Sequence, residues 1–139
     1  MAFATRDEET LVNIFHTVIE VFRIVIQVLR CRGRSTEELI GSLDAPTAVR
    51  PQPRAEAPVT TVRVVQRLLC GLQNPLRETA VTARVLRALG YPTDLVIGYE
   101  PVPMTGDRRL FSWLEIAGRV RGTSMPAQTF YPQLWRFPA

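Results

Sequence analysis

Nucleophiles and bases are scarce in this chain, which holds two cysteines, Cys31 and Cys70, one histidine, His16, and no lysine. Covalent catalysis by a thiolate needs a neighbouring base or a helix N-terminus to lower the thiol pKa. Cys70 stands one residue before Gly71, at the end of a helical run, where the dipole disfavours a thiolate. It is expected to be a buried structural cysteine. His16 belongs to a distant apolar helix and is expected in its polar stripe, bonded to Glu20. Two cysteines and one histidine give no zinc spacing and no disulfide framework, so neither a metal nor any other cofactor is expected.

Several elements must position whatever chemistry exists. From Leu11 to Arg30 the chain is apolar except at positions recurring every three or four residues, Asn13 to Arg30, which predicts one long helix with a narrow polar stripe. So wide an apolar surface must be covered on two sides, by the domain core and by something else, a homodimer through this helix being one option. Arg23 and Gln27 interrupt the run, so no membrane span is expected. Ser35-Thr36-Glu37-Glu38 is a capping box that starts a short helix through Leu43. Residues 45–58 carry four prolines and read as a connector between N-terminal helices, 1–44, and a core, 59–139, within one domain.

Val59 to Cys70 repeats apolar residues at helical spacing and ends on Gly71. Asn74 then caps a helix that has Pro75 in its first position and runs from Leu76 to Leu89, closed by Gly90. Beyond Tyr91-Pro92 the pattern turns β-rich: Asp94 to Tyr99, Leu110 to Ile116 and Arg119 to Gly122, with Ala117-Gly118 as a tight hairpin turn. The tail, Thr129 to Phe137, is too aromatic to be solvated and is expected to pack on the domain. Helices first and strands last predict an α+β domain with N-terminal helices packed on a small C-terminal antiparallel sheet.

With 139 residues and 46% hydrophobic content the chain can bury the core of one domain. Its net charge of +4 rests wholly on arginine, scattered from Arg6 to Arg136 rather than clustered in a stripe, so nucleic acid is not the expected partner. The opening MAFATRDEET is acidic and lacks the basic and apolar regions of a secretion signal, which favours a reduced, cytoplasmic setting.

The stretch Pro75-Leu76-Arg77-Glu78-Thr79-Ala80, followed by Arg84 to Pro92 and then Leu95-Val96-Ile97-Gly98, resembles the central block of the transglutaminase-like lasso-peptide B2 proteins. Their relatives include the Dieckmann cyclases that release tetramic acids and pyridones. In that family the block opens with Cys-Leu and enters a strand ending in Ile-Gly. Leu110-Phe111-Ser112-Trp113-Leu114-Glu115 is similar to the family's strand, which reads His-Ala-Trp-Val-Glu or His-Ser-Trp-Val-Glu. Carried over position by position, the nucleophilic Cys falls on Pro75, the general-base His on Phe111, and the downstream acid near Thr123.

None of these three can do the inherited chemistry, although proline suits a first helical turn and phenylalanine keeps a flat ring on the strand. The resemblance therefore implies a papain-like scaffold with a degenerate triad. The first expectation is a repurposed cyclase of bacterial natural-product biosynthesis. It would fold a polyketide-like small molecule in a closed apolar pocket between the Leu76 helix and the strand of Phe111 and Trp113. Glu78, Tyr99 and Glu100 are then the catalytic candidates, and Pro75, Arg77, Phe111, Ser112, Trp113 and Thr123 the substrate-binding ones. The alternative is a noncatalytic pseudoenzyme that binds a peptide or a biosynthetic protein. A third reading keeps thiol chemistry through Cys70.

Overall fold

The computed structural model describes residues 4–44, 57–101 and 109–139. The first helix, α1, spans Ala4–Cys31, earlier than the apolar run alone implies. Asp7, Glu8 and Glu9 are residue types that a helix N-terminus favours, and they carry it back through its first turns. Helix α2 spans Thr36–Gly41 and tightens into a 3-10 turn over Ser42–Asp44. Its capping box is complete: Ser35 Oγ accepts from the Glu38 amide at 3.1 Å, and Glu38 Oε2 accepts from the Ser35 amide at 3.2 Å. Most of the proline-rich connector lies outside the described residues, and Ala57 and Pro58 already belong to helix α3, Ala57–Cys70.

Helix α4, Pro75–Ala88, starts as its sequence requires, with Asn74 Oδ1 accepting from the Leu76 amide at 2.9 Å and proline in the first turn. It packs between the other helices and the sheet. Ala80, Ala83, Val85 and Leu86 are buried against Leu95, Leu114 and Ile116, Val62 and Val65 of α3, and Leu39 of α2. Full burial of each large aliphatic residue here contributes about 1.5–3 kcal/mol.

The sheet is antiparallel with strand order β3-β2-β1-β4, where β1 is Thr93–Tyr99, β2 Leu110–Ile116, β3 Arg119–Arg121 and β4 Gln133–Phe137. Ala117 and Gly118 both take positive φ, 52° and 71°, the requirement of the two-residue turn that joins β2 to β3. A short helix, α5, Ala127–Phe130, precedes β4. The molecule is thus α+β, with helices N-terminal and the small antiparallel sheet C-terminal.

The aromatic tail does join the domain, as the fourth strand, but the expectation that it is desolvated is corrected. Gln133 to Arg136 are all exposed, and Phe130 and Trp135 keep 58% and 55% of their surface. Of this edge strand, Phe137 alone packs against the core among the described residues.

One buried cation ties the elements together. Arg87 of α4 is 3% exposed. Its Nε donates to the Thr93 carbonyl at 2.8 Å, Nη1 to the Leu43 carbonyl, and Nη2 to the Phe137 carbonyl at 2.7 Å. It therefore fastens the end of the α2 region, the start of β1 and the end of β4 to one side chain.

Candidate functional site

Strand alternation divides the residues of the second motif between two faces of the sheet. Ser112 faces α4, and its Oγ donates to Thr79 Oγ1 at 3.1 Å. Thr79 in turn donates to the Pro75 carbonyl at 2.8 Å. Pro75 and Ser112 are thereby brought together at the N-terminal end of α4, with Thr79 between them. Phe111, Trp113 and Glu115 face the other way. Trp113 is buried with Val96 and Ala127, and Phe111 packs against that second cluster. The ring of Phe111 lies on Tyr131, with centroids 4.3 Å apart and planes within 12°.

This corrects the expected pocket. The position that resembles the base, Phe111, and the aromatic wall, Trp113, are on the sheet face away from α4. The space between α4 and β2 is filled by packed aliphatic side chains. The remaining candidates are dispersed. Glu78 is paired with Arg67 of α3 at 2.9 Å. Arg77 reaches back to cap the end of the α1 region, donating to the Arg34 carbonyl at 2.7 Å and the Arg32 carbonyl at 3.4 Å. Tyr99 and Glu100 stand at the end of β1, their amides bonded to the carbonyls of Pro132 and Arg109. Thr123 accepts from the Met125 amide in the loop after β3.

On the far face the chemistry is concentrated on Glu115, which is 3% exposed. Its Oε1 accepts from Trp113 Nε1 at 2.9 Å and from Gln128 Nε2 at 2.7 Å, while Oε2 pairs with Arg136 Nη2 at 2.8 Å. Burial alone would raise this carboxyl; the hydrogen bonds from Gln128, Trp113 and Arg136, with the arginine's charge, hold it below the usual glutamate range. Arg136 also pairs with Asp94 at 2.8 Å. Glu115 is a structural acid, both of whose oxygens are engaged by partners of the fold.

Cys70, expected to be buried, is only partly so. Cys31 at the end of α1 is the fully buried one, and desolvation pushes its thiol up and makes it inert. Cys70 is half-buried at the last position of α3. Glu20 accepts from the Tyr91 hydroxyl at 3.4 Å, and no hydrogen bond joins it to His16 among the described residues. No group of three or more metal-ligating side chains occurs among the described residues.

Sequence reasoning missed Trp135. The register Ile97↔Ser112 in one direction and Ile97↔Trp135 in the other sets Ser112, Ile97 and Trp135 in one row on the α4 side of the sheet. Tyr99 and the 55% exposed Leu110 form the next paired position. The N-terminal end of α4 therefore borders a half-open apolar patch that ends on an exposed strand edge. The exposure of Leu134 and Trp135 could not be read from residue types that ordinarily favour burial.

No family model, curated protein or solved structure matches this chain.

Proposed function

We propose that this chain is a noncatalytic binding protein of bacterial natural-product biosynthesis, a transglutaminase-like scaffold without its triad, which takes an extended peptide segment along the outer edge of β4. The observation that carries this reading is the β4 edge itself. Among the described residues it is paired on one side only, and it presents Leu134 and Trp135, 43% and 55% exposed. Proteins usually blunt such an edge with charge or proline. The one charge on β4, Arg136, is engaged by Asp94 and Glu115.

A peptide added as a fifth strand would bond to the free main-chain groups of β4, and its side chains would meet the exposed Trp135 and Leu134. The noncatalytic half of the proposal is supported by the commitments of the nearby acids, Glu78 to Arg67 and Glu115 to three donors. The biosynthetic setting is supported by the resemblance of the α4–β1 and β2 motifs.

Trp135 provides the test. Of the two tryptophans, Trp113 is buried and Trp135 exposed, so added peptide should shift the emission of Trp135 alone. The probe is the leader region of a precursor peptide encoded beside the gene. Binding should weaken with W135A and with a peptide methylated on its main-chain nitrogens. Absence of binding at millimolar peptide counts against the edge. Conversion of a linear polyketide-type precursor by the purified protein would overturn the noncatalytic reading.

A further inference from the structure

The geometry points to a symmetric dimer in which the α1 helices of two copies pair antiparallel along their outer apolar faces. Leu11, Phe15, Val18, Phe22, Val25 and Leu29 follow one another at steps of four, three, four, three and four residues. That alternation is the 3.5-residue repeat of a helix-pairing seam, sustained over about 27 Å of helix. Five of the six are exposed by 45–67%, and Val25 is half-buried. No described part of the domain lies over the seam's first half, where every residue from Thr10 to Glu20 is exposed. The domain holds α1 from another side, through Ile24, Val28 and Cys31, roughly 130° round the helix from the seam.

A second copy fits this face in a particular way. Pairing antiparallel about Glu20 sets Leu11 against Leu29, Phe15 against Val25 and Val18 against Phe22. Each layer then matches one seam position with the other, and each phenylalanine meets a valine, so large side chains oppose small ones. Parallel pairing would instead set phenylalanine against phenylalanine and valine against valine. Because the domains attach near the C-terminal ends of the two helices, they fall at opposite ends of the pair and do not collide.

A lipid bilayer is the competing occupant, because Thr10–Cys31 is by length and composition long and apolar enough to span one, with a mean hydropathy of 1.6. Two observations favour the second copy. The C-terminal part of that stretch is already packed into the domain core and tied by Glu20 to Tyr91. Its N-terminal end carries Asp7-Glu8-Glu9, which an anionic membrane surface repels.

Sedimentation velocity on the full chain at micromolar concentration should give twice the monomer mass. V18E should weaken dimerisation at least about a hundredfold by burying an unpaired charge, with far-UV circular dichroism unchanged because Val18 makes no core contact. V18F and F22V should each weaken the dimer by mismatching the Val18–Phe22 layer, and V18F/F22V together should restore it. A monomer at every accessible concentration overturns the proposal, as does failure of the double swap to rescue. Flotation of a monomer with phosphatidylcholine–phosphatidylglycerol vesicles overturns it in favour of the bilayer.

Discussion

The ring of Phe111 lies flat on that of Tyr131, 4.3 Å away, on the side of the sheet opposite the helix that begins at Pro75. Restoring a cysteine and a histidine at these two positions should therefore fail to couple them. In P75C the helix N-terminus alone lowers the thiol pKa from its ordinary value of about 8.5. Adding F111H is expected to leave the pH midpoint of alkylation by iodoacetamide where P75C set it. A further fall of a unit or more in the double variant would mean that the imidazole reaches the thiolate and that the face assignment is wrong.

Glu115 makes stability depend on pH. Its folded pKa lies below its unfolded value, so its contribution is fully present above about pH 4.3 and is lost as pH falls from there through the folded pKa. E115Q should cost about 1.5–3 kcal/mol at pH 7, the range for hydrogen bonds to a charged group. Urea denaturation of both proteins at pH 7 and pH 3 checks this. The gap between them should narrow in acid, and a gap independent of pH would show that the carboxylate's charge is immaterial.

Gly98 holds its place because of Trp113. A Cβ at position 98 would stand 2.8 Å from the indole Cζ3 of Trp113 and 2.8 Å from the Pro132 carbonyl oxygen. G98A is expected to destabilise the protein by about 1–3 kcal/mol through overpacking. Near-UV circular dichroism should show the Trp113 environment altered, and a thermal midpoint equal to that of the parent would contradict the close approach.

Replacing Arg87 removes the donors for three carbonyls at once. R87M should cost about 3 kcal/mol or more, because apolar sulfur and methylene groups leave buried acceptors unmade. Hydrogen exchange should then rise together at the ends of β1 and β4. A loss confined to one strand would mean that the three contacts act separately.

Much of the helical architecture is legible in the chain because capping chemistry is local. The reciprocal bonds of Ser35 and Glu38, and Asn74 ahead of Pro75, are fixed by residues within one turn of each other. The hairpin at Ala117-Gly118 is legible for the same reason. What could not be read is which side of the sheet each motif residue faces, since that depends on where α4 lies. Phe111 and Ser112 are adjacent in sequence and end on opposite faces, one against Tyr131 and the other against Thr79. Nor is β4 legible, because pairing with β1 across a bulge between Ile97 and Gly98 leaves no periodic mark in Gln133–Phe137.

The guanidinium of Arg87 also bears on how the chain is made. Its three acceptors come from residues 43, 93 and 137, so the first and last parts of the polypeptide meet at a charge carried in the middle. During synthesis the helical half emerges with that charge only partly bonded, and the final acceptor appears when the closing strand does. Closing this junction therefore waits on the arrival of β4, and the order in which the segments assemble is written into one side chain: the strand that supplies the Phe137 carbonyl locks what the helices and β1 have begun.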